Sequence, residues 1–135
     1  MYEGEFKNNL KSGIGKLVYN NQAGGEYYGE WLEGKRQGEG VFTYANKDIY
    51  SGNWKNGFKD GKGTYVFNDT RMKYIGNWKA GFLEKGIWKF PNGTYYEGVF
   101  EKNKPKGKGK WIFCNGNVVE GEYNQIIDAK EVEVF

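Results

Sequence analysis

The feature that most constrains this chain is a unit of alternating aromatic residues and glycines, clearest at residues 50–67. Tyr50, Gly52 and Trp54 stand two residues apart, and positions 61, 63, 65 and 67 carry Gly, Gly, Tyr and Phe. Because strand side chains alternate between faces, a spacing of two places each set on one face of its strand. The unit therefore predicts a β-hairpin with one aromatic face, one mostly polar face and a glycine turn.

The unit recurs along the chain at intervals of 22 to 25 residues. Five near-full copies start near residues 2, 27, 50, 74 and 96, and a partial copy starts near residue 119. Self-similarity at a fixed period indicates stacked units that are stabilised by their neighbours. We therefore expect a repeat array over residues 1–123, followed over residues 124–135 by a C-terminal tail or capping strand, since residues 130–135 alternate again.

The connections between copies carry hairpin-turn chemistry, with Asn, Asp and Gly at residues 45–48, 91–94 and 115–116. The second strand of one copy is thus expected to pair with the first strand of the next. The fourth copy is one residue short and keeps only Gly86 of its glycine pair, which predicts a local kink or bulge.

Glycine inside a strand costs roughly 0.5–1 kcal/mol relative to alanine, so its regular use here needs a compensating contact. A bare glycine lets a neighbouring ring lie flat on the backbone, a packing known as aromatic rescue. Glycine makes up 22 of 135 residues and aromatics 19%, whereas aliphatic residues are few. These observations predict an all-β fold, an elongated, single-layer, twisted antiparallel sheet of stacked β-hairpins whose apolar content is mainly rings.

Composition argues against several function classes. The chain has no His, and Cys114 is its single cysteine, so the usual catalytic base and nucleophile pair is absent. We expect no catalytic residues, no metal site and no cofactor. A net charge of +3 is too balanced to indicate nucleic-acid binding by itself. The chain shows no signal-peptide pattern or apolar run long enough to span a bilayer, which together with the single cysteine predicts a cytoplasmic, reducing location.

The repeated residues closely resemble the MORN-repeat family, whose consensus reads Tyr-x-Gly-x-Trp/Phe, then Gly, then Gly-x-Gly-x-aromatic-x-aromatic. The resemblance covers residues 2 to about 123. Within the family, residues 48–123 are most similar to the radial-spoke-head members. That similarity rests on a long turn at residues 67–74, a degenerate copy at residues 83–90 and the copy at residues 96–113.

The resemblance implies a non-enzymatic scaffold that docks partner proteins, and for radial-spoke-head members a place in the ciliary axoneme beside other axonemal subunits. It also implies an alternative, a peripheral phospholipid-binding module at a membrane. A third reading, an appendage to an enzyme, applies only if these residues belong to a longer chain. The uncapped edge strand at Tyr2 would in addition favour a homodimer formed through an open edge.

The aromatic face supplies the candidate protein-binding residues, because a single-layer sheet is expected to leave some of its rings partly exposed. Packing is the plainer explanation for most individual rings. A partner helix or extended peptide would lie in a groove along this face, with the tryptophans as anchors. The candidates are Tyr27, Trp31, Tyr50, Trp54, Tyr74, Trp78, Trp88, Tyr96, Phe100 and Trp111.

A run of alternating lysines forms the second candidate surface, which would contact anionic lipid or an acidic protein. The plainer explanation is a solvated strand that resists aggregation. Alternation places Lys108 and Lys110 on the polar face of a strand and the other three in the preceding turn. The run comprises Lys102, Lys104, Lys106, Lys108 and Lys110.

Overall fold

A computed structural model describes residues 1–123 as an open sheet of eleven antiparallel strands. The strands are β1 (Tyr2–Lys7), β2 (Leu10–Val18), β3 (Glu26–Leu32), β4 (Lys35–Thr43), β5 (Ile49–Lys55), β6 (Phe58–Val66), β7 (Lys73–Lys79), β8 (Phe82–Lys89), β9 (Tyr95–Glu101), β10 (Lys104–Ile112) and β11 (Val118–Tyr123). Their spatial order equals their order in the chain, so every connection is a hairpin.

The pairing confirms the predicted all-β sheet of stacked hairpins. β4 pairs with β5 of the following repeat, as the turn chemistry predicts, and β5 pairs equally with β6 of its own repeat. The predicted turns are stabilised by side-chain caps, since the backbone amides of Asp48 and Thr94 donate to Asn46 Oδ1 and Asn92 Oδ1, both at 2.9 Å. The predicted capping strand at residues 130–135 lies outside the described residues.

A single row of glycines crosses the sheet at right angles to the strands. Each glycine is the register partner of the next, so the row runs from β1 to β11 without interruption. The row consists of Gly4, Gly15, Gly29, Gly40, Gly52, Gly63, Gly76, Gly86, Gly98, Gly109 and Gly121. It forms a track of bare backbone along the aromatic face.

In four of the five repeats the tyrosine of the first strand lies on this track, as expected for aromatic rescue: Tyr2, Tyr27, Tyr50 and Tyr96. In the fourth repeat backbone atoms, and not the Tyr74 ring, lie nearest to Gly76 and Gly86. A Cβ added at Gly63 would overlap the Tyr50 ring, and one at Gly40 would overlap the Tyr27 ring. Tryptophans then bridge successive repeats. Trp54 Nε1–H donates to the Gly40 carbonyl oxygen at 3.1 Å, and its ring meets Tyr27 edge-on with centroids 5.4 Å apart. Rings and backbone hydrogen bonds together link each repeat to the one before it.

The bulge predicted for the fourth repeat is present, but every repeat contains one. In the third repeat Gly52 and Trp54 are two positions apart on β5, whereas their partners Gly63 and Lys59 are four positions apart on β6. In the fourth repeat the register shift falls beside Trp78, whose partner Leu83 lies only three residues from Gly86. A full repeat already contains a bulge in its second strand. The residue missing from the fourth repeat therefore makes that bulge one residue smaller.

Asn103 compensates for the shortened fourth repeat. Neighbouring turns elsewhere share a backbone bond, such as Gly81 N–H to the Lys59 carbonyl oxygen at 2.9 Å. At the junction of repeats four and five, Leu83 N–H donates instead to Asn103 Oδ1 at 2.9 Å, and Tyr74 Oη–H donates to the Asn103 carbonyl oxygen at 3.0 Å. Asn103 is 5% exposed and has a positive φ of 62°, which Asn tolerates better than most residues.

We predict that Asn103→Ala lowers the free energy of unfolding by about 1–3 kcal/mol, because it leaves the buried Leu83 N–H without an acceptor. Urea denaturation followed by circular dichroism measures this difference. Asn56→Ala is the matched control, since Asn56 occupies a turn with φ 51° but is exposed. Equal losses in the two variants would assign the whole effect to backbone conformation.

Candidate functional site

The aromatic face divides into a buried inner set of rings and a partly exposed outer set. Eight of the ten predicted binding residues belong to the inner set, with exposures between 0 and 5%. They are Tyr27, Trp31, Tyr50, Trp54, Tyr74, Trp78, Tyr96 and Phe100. Trp88 and Trp111 are half-buried. The sheet covers its own rings more completely than expected. Tyr50, for example, lies between the glycine row and the tryptophans of its own and the next repeat.

The outer set is a row of rings at the hairpin ends, one from each repeat, and we call it the outer ring row. Each member stands four positions after the glycine that the second strand of its repeat contributes to the glycine row. None of them is among the binding residues predicted from the sequence. They are Tyr19, Tyr44, Phe67, Phe90 and Phe113. The first four are half-buried and Phe113 is 38% exposed. Each packs on a neighbouring ring of the same face, as Tyr44 does on Phe42 with centroids 4.5 Å apart.

A second feature missed from the sequence is a row of cations on the same face, which we call the cation row: Lys11, Arg36 and Lys59. Each stands seven residues after the first glycine of its repeat. The fourth and fifth repeats carry Leu83 and Pro105 at this position, and both are buried. The register places Arg36 opposite Trp31 and Lys59 opposite Trp54, so the row shares the face of the rings.

Arg36 lies over rings from three successive repeats. Its guanidinium carbon is 4.7 Å from the Trp54 centroid, 5.2 Å from Phe42 and 6.0 Å from Tyr19. Its Nη2 also donates to the Gly57 carbonyl oxygen at 2.6 Å. The side chain therefore covers the core and holds the next turn, through cation–π attraction and a charge-assisted hydrogen bond.

Lys59 occupies the position in the third repeat that Arg36 occupies in the second, and four rings surround its ammonium group. Its Nζ lies 5.1 Å from the Tyr65 centroid, 5.2 Å from Trp78 and between 5.7 and 5.8 Å from Tyr50 and Tyr44. Burial, followed by the nearby Arg36 charge, lowers the pKa of Lys59 to about 8. The ammonium is therefore held by ring faces in a partly desolvated position.

Asp48 is the buried acid at the hairpin end of this region. Its carboxylate accepts from Tyr65 Oη–H at 2.8 Å and from Asn68 N–H at 2.7 Å, so it joins two successive hairpin ends. Burial, followed by the bond to Asp48, raises the pKa of Tyr65. A cleft of about 360 Å³ opens beside Asp48 and extends to Met72 and Trp88. The long turn before β7 thus adds a pocket to the edge of the aromatic face.

The structure separates the predicted lysine run. Lys104 and Lys106 lie in β10 and not in the preceding turn, which corrects the sequence expectation. Lys106 Nζ pairs with Glu101 Oε2 at 2.6 Å, and that bond lowers the pKa of Glu101. Lys108 and Lys110 do share the polar face, but their register partners include Glu122, Glu97 and Glu120. Acidic neighbours therefore offset much of the positive charge.

The described residues contain neither a helix long and apolar enough to cross a bilayer nor a cluster of three or more potential His, Cys, Asp or Glu ligands for a metal ion.

Comparison with known proteins identifies the repeat. The family model described as the MORN repeat matches this chain five times, over residues 2–23, 27–49, 50–70, 74–95 and 96–118. Among curated proteins the chain is similar to alsin from Homo sapiens and from Mus musculus, each 40% identical over 53 residues, and to alsin from Rattus norvegicus, 38% identical over 53 residues. Those matches cover 37% of this chain and only 3% of the relatives' length.

Proposed function

This chain belongs to the MORN-repeat family, a family of non-catalytic repeat modules for protein or membrane interaction, and on that premise we propose that it docks a partner protein on the outer ring row. The observation that carries the proposal is the continuity of the row. Five successive repeats each place a partly exposed ring at the same position on one face. Aligned exposed aromatics of this kind typify protein interfaces.

The inner rings have a different role in this proposal. Their burial means that they shape and stiffen the surface, whereas the outer rings contact the partner. A helix or extended peptide crossing the strands would meet one outer ring per repeat. Substitutions at Tyr44 and Phe90 should therefore weaken partner binding. Truncating a buried tryptophan should weaken it less, provided that the sheet stays folded.

The test uses the double variant Tyr44→Ser/Phe90→Ser as bait for affinity capture from ciliated-cell extract, beside the unaltered protein. Captured proteins are identified by mass spectrometry, purified and titrated directly. We expect the direct affinity to fall at least about tenfold for the double variant, since large aromatics dominate interface energies. Circular dichroism verifies that the variant remains folded.

Tyr28→Ser is the matched control, because Tyr28 lies on the opposite face and is 58% exposed. A partner that loses affinity for both variants equally, or for Tyr28→Ser alone, would place the interface on the polar face and contradict the proposal.

The cellular setting is part of the same proposal. We propose a cytoplasmic, cytoskeletal location in the ciliary axoneme, as a radial-spoke-head-like component, supported by the similarity of residues 48–123 to those members. Capture of spoke-head or other axonemal subunits that still bind directly after purification would support this location. Pairing of two copies through an open sheet edge stays a prediction, which sedimentation equilibrium tests.

Phospholipid binding through the lysine run is the second candidate, and the acidic partners of Lys106, Lys108 and Lys110 place it behind protein docking. Sedimentation with phosphatidylserine vesicles at low and physiological salt tests it. Salt-sensitive binding that is lost in Lys108→Gln/Lys110→Gln would reverse this order.

A further inference from the structure

We propose that the aromatic face selects an acidic amphipathic helix whose carboxylates recur every seven residues and pair with Lys11, Arg36 and Lys59. The inference rests on the proposed function, because it names the chemistry of the partner at the same surface. It is carried by the position of the cation row and by the absence of built-in acidic partners for it.

The three cations occupy equivalent positions on β2, β4 and β6. Neighbouring strands lie about 4.8 Å apart, so positions two strands apart are spaced by about 10 Å. Seven residues of α-helix rise about 10.5 Å and return to nearly the same face. A helix lying across the strands therefore presents one residue to each cation at a heptad spacing.

None of these cations has an acidic partner among residues 1–123. The ion pairs found there, Lys16–Glu26 and Lys106–Glu101, do not involve them. Lys11 Nζ lies 5.6 Å from the centroids of both Tyr2 and Trp31, so ring faces hold it as they hold the other two. Ring faces accept no strong hydrogen bond from an ammonium group, and its N–H donors remain available to carboxylates.

Two of the three cations also lie beside the outer ring row. The Arg36 head is 6.0 Å from Tyr19, and the Lys59 head is 5.8 Å from Tyr44. A single helix thus reaches both features, with apolar side chains on the outer rings and carboxylates on the cations. An extended β-strand cannot pair with all three cations in this way. A spacing of about 10 Å corresponds to three strand residues, and residues i and i+3 of a strand point to opposite faces.

The cation row ends within the repeat array, and this determines which part of the partner helix is acidic. Leu83 and Pro105 replace the cations in the fourth and fifth repeats, where both side chains are buried. The matching helix is therefore acidic in the part that crosses the first three repeats, and uncharged on the contacting face beyond them.

The experiment uses four labelled peptides of about 21 residues, roughly 32 Å when helical. The first carries Glu at every seventh position beside a row of leucines, and the second replaces those glutamates by Gln. The third has the composition of the first with Glu at every fifth position, which spreads the charges around the helix. The fourth is an acidic proline-rich peptide with Glu at every third position, because polyproline II also repeats near 9 Å. Fluorescence anisotropy reports affinity.

We expect the heptad Glu peptide to bind at least about tenfold more tightly than each of the other three. Equal binding of the Gln peptide would overturn the charge pairing while leaving helix docking on the face intact. Preference for the fifth-position or proline-rich peptide would overturn the helical register. No binding by any peptide would overturn this inference, whereas the proposed function is judged separately by the capture experiment.

Lys59→Gln identifies the contact on the protein, because Lys59 makes no side-chain hydrogen bond among the described residues and its loss leaves the backbone contacts in place. Lys62→Gln is the matched control. It lies on the same strand and opposite face, is exposed, and changes the net charge equally. We expect about a tenfold loss for Lys59→Gln, with Lys62→Gln near the unaltered protein. Equal losses would reduce the effect to net charge and overturn the proposal.

The pH dependence supplies an independent readout. The groups facing Lys59 are the Arg36 charge, the phenols of Tyr44, Tyr50 and Tyr65, and the carboxylates of Asp48 and Asp60 near those phenols. Burial raises the pKa of each phenol, so they stay neutral at pH 9. Binding of the heptad peptide should therefore weaken as pH rises through about 8 and Lys59 loses its proton. The Lys59→Gln variant should lack this step, and a step retained there would overturn the role of Lys59.

Discussion

Gly63→Ala should lower the free energy of unfolding by about 3 kcal/mol or more, the upper range for overpacking a core. The added Cβ would overlap the Tyr50 ring at Oη, Cζ and Cε1. That ring is fully buried, and the rings of Trp54 and Trp78 hold it with centroids 5.1 and 5.3 Å away. The ring therefore cannot swing aside without opening the junction between two repeats.

Gly121→Ala is the matched control, because Gly121 ends the same glycine row but its added Cβ meets nothing within 4 Å. Its stability should stay within about 0.5 kcal/mol of the unaltered protein. Urea denaturation followed by circular dichroism compares the two. The double variant Gly63→Ala/Tyr50→Ala should show favourable coupling of at least about 1 kcal/mol, since removing the ring removes the overlap. Additive losses would show that the ring contact is not the cause.

Trp54→Ala should lower the free energy of unfolding by about 3–5 kcal/mol, the usual cost of truncating a buried aromatic. Trp54 is 4% exposed and contacts Tyr27, Tyr50 and Arg36. From the sequence alone we expect the same substitution to weaken partner binding more than folding. Its burial now favours the opposite order, with a large loss of stability that precedes any effect on docking.

Trp54→Phe separates the ring from its hydrogen bond. Phe6 and Phe100 occupy the equivalent position in the first and fifth repeats, so a phenyl ring fits there. The variant loses the 3.1 Å bond to the Gly40 carbonyl oxygen, and its free energy of unfolding should fall by only about 1–2 kcal/mol.

Urea denaturation and partner titration together test the Trp54→Ala prediction. A Trp54→Ala protein that unfolds at the urea midpoint of the unaltered protein, yet no longer binds its partner, would restore Trp54 as a binding anchor.

Much of the fold follows from local pattern. The spacing of Tyr50, Gly52 and Trp54 predicts a strand, and Asn46 and Asn92 mark hairpin turns that the structure contains. The bulge in every repeat is not predictable this way, because it arises where Gly52 and Trp54 keep their spacing while their partners on β6 do not. Register between strands depends on both strands at once, which a one-strand period does not express.

The candidate site divides along the same line. Sequence patterning identifies the aromatic face, but it does not separate Trp54, which is buried, from Tyr44, which is half-buried. That difference arises from stacking between repeats, as tryptophans of one repeat cover the tyrosines of another. Lys11, Arg36 and Lys59 look like ordinary surface charges in the sequence, and only cross-strand register brings them beside the rings.

The sequence by itself determined the class of fold, the number of near-full repeats and the chemical character of the two faces, because a period of two and turn residues act within a few positions. The tertiary structure decided which rings are exposed, how Asn103 repairs the shortened fourth repeat, and that three distant cations form one row. These features depend on residues 14 or more positions apart, brought together by strand pairing across the sheet.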